Sequence, residues 1–428
     1  MREAILFLLL FLFVPQPGPG YAVLTHEAII DSAWDHIRPI LLKRFSGATP
    51  EQIKQAYAYV YGGCILQDMG YYPLGSKYFS DLVHYVRSGD FVLNLLRDAE
   101  ADNDINEFAF ALGALAHYAA DTVGHPVAVN RAVAISYPKL RKKFGNAVTY
   151  AEDPVAHLKA EFGFDVVEVA KGRYANIAFH DFIGFQVSKN LLERAFRDTY
   201  ALELKDQFTS LDLALGTYRR TVSSIIPEAT KIAWSLKKEE IVRSRPGITR
   251  RRFLYNLSRS AYEREWGRDY RRPGWFARFM AFLLRLIPNF GPFKSISFKP
   301  PTPRTENLFM ESFNQTLTLY RAFLREAEPP RLRLANLDFD TGRPTRAGEY
   351  PLADKAYARL LRDLAHQGFK NLSPELRDQL LAFYRNPESL THAPRKEKKQ
   401  DRLARQDTRA ALEKLRALEG KPAQSGRP

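Results

Sequence analysis

The sequence predicts an all-α protein: a multi-helix domain followed by a basic, mostly helical C-terminal region. Three observations carry this expectation. Apolar residues recur at three- and four-residue intervals through the first 240 positions, the period of one helix face. No convincing run of alternating apolar and polar residues marks a strand. The chain has 428 residues, 45% of them hydrophobic, which is ample for one large or two ordinary domains.

The first element is a leader. Residues 5–14, ILFLLLFLFV, follow Arg2 and precede PQPGPG. A weakly charged start, a short apolar run and small residues form a signal-peptide pattern, expected over residues 1–20. The run is short for a transmembrane helix. The expectation is therefore an exported protein, periplasmic or extracellular. Cleavage after Gly20 leaves Tyr21 first, and cleavage after Ala22 fits the small-residue rule about as well.

Residues 21–240 are expected to form one helical domain. Its helices are HEAIIDSAWDHIRPILLKRF (26–45), EQIKQAYAYVYGG (51–63), DFVLNLLRDAEA (90–101), INEFAFALGALAHYAADTV (105–123) and FIGFQVSKNLLERAFRD (182–198), with a long helix ending near WSLKKEE (234–240). The texture changes from residue 241, the start of a region expected to run to 390. Residues 243–275 are strongly basic and interleaved with aromatics, and 275–293, WFARFMAFLLRLIPNFGPF, carry only Arg278 and Arg285 as charges. One reading is a membrane-surface element, with Trp275, Phe276, Phe279 and Phe282 in the acyl boundary and arginines reaching anionic headgroups. The other is an aromatic core helix. Nucleic acid is the weaker partner for 243–293, because the aromatics gather in one apolar run instead of alternating with basic residues. A proline-punctuated, extended connector (293–309), a helix (306–327), a loop (329–352) with a turn at DFDTGRP and a helical pair (353–386) follow. Residues 391–428 are charged and poor in large apolar residues, and disorder or a lone frayed helix is expected there.

Charge divides along the same line. Residues 21–200 carry net −3 and residues 201–428 net +18, within +15 for the whole chain. Partners are to be sought at the basic half. Cys64 is the single cysteine, so no intrachain disulfide can form, and its neighbours Gly62, Gly63 and Ile65 suggest a buried small residue.

Residues 112–126, LGALAHYAADTVGHP, carry the chemistry. His117, Asp121 and His125 stand four apart, which stacks imidazole, carboxylate and imidazole along one helix face. Two such groups can bind one metal ion, and a carboxylate between histidines can bridge two. A solvated polar face is the bland alternative, and the surrounding Ala, Leu and Gly residues argue against it. Pro126 predicts that the helix ends at His125. Five of the first six of nine histidines sit in comparable contexts: His26 after the leader, His84 sixteen residues beyond Asp68, His117 and His125, and His157 four residues before Glu161. Imidazole and carboxylate suit zinc. His36, His366 and His392 lack ligand context, and His180 with Asp181 reads as a structural or outer pair. Tyr71, Tyr72 and Tyr78 fit either a substrate cleft or aromatic packing.

The order of these motifs over roughly residues 21–200 resembles the zinc-dependent phospholipase C family, whose superfamily includes single-strand-specific nucleases and glycosylphosphatidylinositol phospholipase D. The resemblance implies an all-helical catalytic domain with a trinuclear zinc cleft. It implies one zinc site at Asp68, His84, His117 and Asp121, and a second at His125, His157 and Glu161. The third takes His26, Asp121 and the free amino terminus of the mature chain, here Tyr21, where the nuclease branch has tryptophan. Asp68 is the implied catalytic residue, a zinc ligand that also orients the attacking water. Three residues separate Asp121 from His125, against five in the phospholipase C and nuclease branches, and this spacing resembles the phospholipase D branch. Glu161 leans toward the phospholipases. The implied function is an exported phosphodiesterase holding up to three zinc ions and hydrolysing phospholipids. The alternatives are a nuclease, or a noncatalytic membrane-binding protein with structural zinc.

Overall fold

The structure is a computed structural model that describes residues 23–72, 74–170, 185–222, 239, 299–327, 332–385 and 399–418. The leader, Tyr21, His180, Asp181, His392 and the 243–293 stretch lie outside the described residues.

The helix at the centre is α5, Ile105–Gly124, preceded by α1 (Val23–Arg44), α2 (Pro50–Ile65), α3 (Lys77–Tyr85) and α4 (Ser88–Asp102). From Phe108 to Gly124 only Val123 escapes full burial. A helix apolar all round has no solvated face, so it must be enclosed, and α1, α2, α4 and the later α11 (Pro303–Arg325) enclose it. Asp104 starts α5 by accepting from the Asn106 and Glu107 amides. The Thr49–Gln52 capping box, with Pro50 at the first turn, starts α2.

The α2–α5 contact is set by two glycines. A Cβ on Gly63 would lie 1.9 Å from the Phe110 carbonyl oxygen, and one on Gly113 would lie 2.0 Å from that of Val60. Backbone therefore meets backbone where the two helices cross. A third glycine, Gly62, admits residues 185–188, whose Gln186 amide donates to the Ala58 carbonyl at 2.9 Å. That segment is not helical, and the helix expected from residue 182 is α9, Lys189–Tyr200, among the described residues.

The expected helix end at Pro126 is corrected by the structure. His125 stays helical (φ −64°, ψ −60°), and His125–Val129 form a single π-turn that runs into α6, Asn130–Ser136. Pro126 has no N–H for the Thr122 carbonyl, and the turn widens to the five-residue bond from Asn130 N to His125 O instead of breaking. Next come α7 (Pro138–Phe144), α8 (Pro154–Ala170) and, after α9, α10 (Leu211–Arg220).

The elements after residue 299 join the same core. Phe309, Phe313 and Tyr320 of α11 belong to the cluster that contains Phe108 and Leu112, and the Tyr320 hydroxyl donates to the Leu112 carbonyl at 2.9 Å. Helix α11 starts at Pro303 behind a Thr302 cap, three residues before the helix expected from Glu306, so PRT is helical where only a connector was expected. A two-residue antiparallel hairpin, β1 (Leu337–Asp338) with β2 (Arg343–Pro344), encloses the expected turn. Then α12 (Pro351–His366) packs on α3, followed by α13 (Pro374–Phe383). The charged tail is also corrected in part. Residues Lys399–Ala417 form α14, which packs on α12. Its Thr408, Ala411, Leu412 and Leu415 recur at three- and four-residue intervals and bury one narrow face, while Arg362 donates to the Thr408 hydroxyl. Low apolar content hid this stripe.

The glycine contact gives a direct expectation. Gly113→Ala forces backbone apart and destabilises the chelated protein by about 2–3 kcal/mol in urea unfolding. Gly216→Ala on α10, where a Cβ meets nothing within 4 Å, is expected to be neutral or stabilising by up to about 1 kcal/mol.

Candidate metal centre

Two helices and a short turn deliver the first set of side chains. The 3₁₀ turn Leu66–Tyr71, at the end of α2, carries Asp68; α3 carries His84; α5 carries His117 and Asp121. All four are buried, and one ligand atom from each lies within 4.8 Å of the others. The second set is His125 from the π-turn with His157 and Glu161 from α8, buried and within the same limit. Asp121 stands between the sets. Its Oδ2 is 3.2 Å from His117 Nε2, 3.5 Å from His84 Nε2 and 3.8 Å from His125 Nε2, and its Oδ1 is 3.3 Å from His26 Nε2. His26 Nε2 also lies 3.8 Å from Asp68 Oδ2, and its ring stacks on that of His117.

Backbone carbonyls fix the imidazole tautomers. His84 Nδ1 donates to the Ser80 carbonyl at 2.8 Å, and His117 Nδ1 donates to the Cys64 carbonyl at 2.9 Å. Each Nε2 then presents a lone pair, and the two Nε2 atoms face one another at 3.4 Å. Two such atoms, flanked by carboxylates, make a place for a cation, either a proton or a metal ion. Asn130 does the same for His157: its Nδ2 donates to the Asp340 carbonyl at 2.7 Å, so its Oδ1 accepts from His157 Nε2 at 2.9 Å. That leaves His157 Nδ1 toward Glu161 Oε1, 2.6 Å away.

The donor set fits zinc. Both Asp121 oxygens, Asp68 Oδ1, both His125 nitrogens and His157 Nδ1 are buried without a hydrogen bond. Each such atom costs about 1–3 kcal/mol if left unpartnered, and nitrogen and oxygen donors in sets of three and four match zinc coordination. The two buried clusters can each hold a metal ion.

Electrostatics follow the same geometry. Burial works against the Asp121 carboxylate, but His117, His125 and His26 outweigh it and hold its pKa well below the usual value. Burial, then the His117 charge, lowers the His26 pKa; burial, then His125, lowers that of His157 well below normal. Both imidazoles are therefore neutral and able to ligate. For His84 burial is outweighed by Asp121 and Asp68, which raise its pKa to about 10, so without a metal ion a proton occupies its Nε2 and must leave before that atom ligates.

Of the residues singled out in the sequence, His26, Asp68, His84, His117, Asp121, His125, His157 and Glu161 converge here, and Tyr21 lies outside the described residues. His36 faces solvent beside Asp35, and His366 is exposed at the end of α12. Tyr71 and Tyr78 are packed in the interior, while Tyr72 is half-buried against Tyr218. Cys64 is a core residue whose carbonyl, not its thiol, serves the centre.

Sequence reading missed several supporting residues. Asp165 accepts from the Leu24 and Thr25 amides at 2.9 and 3.1 Å, capping the start of α1 just before His26. Asn130 stands five residues after His125, a spacing that a π-turn aligns and an α-helix does not. Asp340 reaches the centre from the hairpin, 215 residues beyond His125, and only the Asp-x-Asp turn marked it. Asp31 lies behind His26 on α1 and accepts from the Tyr57 and Tyr61 hydroxyls.

Residues 25–210 match the family model described as zinc dependent phospholipase C. The matched segment contains every ligand candidate from His26 to Glu161, in agreement with the resemblance carried by the motifs. No curated protein and no solved structure matches the chain.

Zinc removal is expected to lower stability. At free zinc a thousandfold above Kd, each site contributes about 4 kcal/mol, and an unfolding midpoint unmoved by chelation would rule out a metal centre. A pH effect comes from Asp31, whose carboxyl burial pushes up to about 6 against the pull of the Tyr57 and Tyr61 hydroxyls. A carboxyl with a folded pKa above its unfolded value of 3.8 stabilises below that value, and the contribution is lost as pH rises through 6. Between pH 4 and 7, Asp31→Asn should gain up to about 3 kcal/mol relative to the parent in denaturant unfolding. A pH-independent difference would contradict the assignment.

Proposed function

We propose that this chain is a zinc-dependent phosphodiesterase of the phospholipase C type that hydrolyses phospholipids. The observation that carries the reading is the pair of buried ligand sets joined at Asp121, inside the segment that matches the family. Bound zinc would supply positive charge beside a phosphodiester and make hydroxide available near neutral pH.

The chain's own residues do the rest. His84 and His117 hold their Nε2 atoms toward one point because Ser80 and Cys64 carbonyls anchor the opposite nitrogens. Asp121 stays ionised, with Oδ2 toward His84, His117 and His125 and Oδ1 toward His26. Asp68 differs from Asp121 in one respect that matters: its side chain is 8% exposed, against 0%. It is the more exposed of the two carboxylates, while its Oδ1 is buried and faces His84 Nε2 at 3.3 Å. Asp68 is therefore placed to orient the attacking water and accept its proton as the water oxygen bonds to phosphorus and the P–O bond to the diacylglycerol oxygen breaks, that oxygen taking up a proton to leave as the alcohol. Export is part of the proposal and is supported by the signal-like residues 1–20. The basic, aromatic residues 243–293 support contact with an anionic membrane surface.

Product analysis tests the reading. The chain beginning at Tyr21, loaded with zinc, is incubated with mixed phospholipid vesicles and with single-stranded DNA, each beside a chelated control. Chelator-sensitive diacylglycerol is the expected product. Phosphatidic acid would move the activity to the other side of the phosphate. Nucleotides alone would make it a nuclease, and no product with zinc bound would leave the centre a structural one.

A further inference from the structure

We propose that Asp340 is a positioning residue of the second ligand set, holding the His125 ring so that its Nε2 faces Asp121 and the bound metal. The proposal rests on the metal-binding part of the reading above and not on the reaction. Asp340 lies 130 residues past the end of the segment that matches the family.

Asp340 is fully buried, and its two carboxylate oxygens have different duties. Oδ2 accepts from the Tyr85 hydroxyl at 3.1 Å and from the Tyr350 hydroxyl. Oδ1 has no hydrogen-bond partner and lies 3.5 Å from His125 Nδ1. His125 Nε2, across the ring, points at Asp121. Among the described residues His125 is the only side chain able to carry positive charge within ion-pair distance of Asp340. A ligating imidazole is oriented by giving its second N–H to a carboxylate, which fixes the tautomer and strengthens the donor.

The turn itself does not need this carboxylate. Asp338 already closes it, accepting from the Asp340 amide at 2.9 Å and the Thr341 hydroxyl at 3.1 Å. The hairpin is instead pressed onto the centre. Phe339 lies edge-on to the His84 ring, 5.2 Å between centroids, and its amide donates to the His84 carbonyl. At Gly342 (φ +67°) a Cβ would sit 2.7 Å from the Thr122 carbonyl oxygen and 3.0 Å from Pro126, so the turn lies directly against the π-turn that carries His125. The Asp340 carbonyl accepts from Asn130, whose side chain orients His157. One short segment therefore steadies both histidines of the second set.

The test is zinc binding by the full chain, measured by competition with a chromophoric chelator. The chains compared are the parent, His157→Ala, Asp340→Asn and the double variant. His157→Ala marks the equivalent held by the second set. Asp340→Asn is expected to weaken that same equivalent by about 10–100-fold, to leave the other at parental affinity, and to add nothing in the His157→Ala background. Should Asp340→Asn fail to fold, Tyr350→Phe keeps the carboxylate, loses one of its donors, and is expected to weaken the same equivalent by a smaller factor. Parental affinity at both equivalents, or equal weakening of both, would overturn the proposal. Because no hydrolysis is read, a chain inactive on phospholipids can still pass, and an active one can still fail.

Discussion

One ionised carboxylate, Asp121, sits in the interior among four imidazoles, and the remaining structure is organised to keep it there. His26, His84, His117 and His125 each place Nε2 within 3.8 Å of one of its oxygens. A buried charge with no hydrogen bond is expensive, and carbonyls that pin the far nitrogens of His84 and His117 leave acceptors facing acceptors. A dication on either side of Asp121 resolves this conflict. The arrangement fits metal ions, and each of the two buried clusters can hold one.

Keeping the carboxylate in place constrains the helices. Asp121 and His117 ride on α5, while Asp68 and the Cys64 carbonyl arrive from the end of α2, so the crossing of these two helices positions three of the four side chains of the first ligand set. Gly63 and Gly113 bring backbone against backbone at that crossing. Beyond Asp121 the problem is different, since Pro126 deprives Thr122 of its partner. The π-turn absorbs the defect, keeps His125 in line with the helix and rotates Asn130 toward His157. The second ligand set is thus built on an irregularity, and the C-terminal hairpin braces that irregularity from outside.

The sequence made the helical ligand carriers legible for a simple reason. An i, i+4 spacing on an apolar background has one geometric consequence, so His117 with Asp121 and His157 with Glu161 could be placed on common faces. The all-α class followed from the same periodicity. What stayed hidden depended on partners far along the chain. Asp340 and Asp165 contribute through contacts between segments remote in sequence, and nothing local distinguishes them from ordinary turn and helix acids. Pro126 misled because the rule that proline ends a helix ignores the option of a wider turn. Residues 399–417 misled because a charged segment can still bury a narrow stripe such as Ala411, Leu412 and Leu415.

The central claim is that cations occupy two places flanking Asp121, and diffraction from zinc-loaded crystals at wavelengths on either side of the zinc edge tests it most directly. The expected result is anomalous density on both sides of Asp121, one peak among Asp68, His84 and His117 and another among His125, His157 and Glu161. Saturating zinc with no anomalous peak at either cluster, or peaks only elsewhere on the molecule, would contradict it.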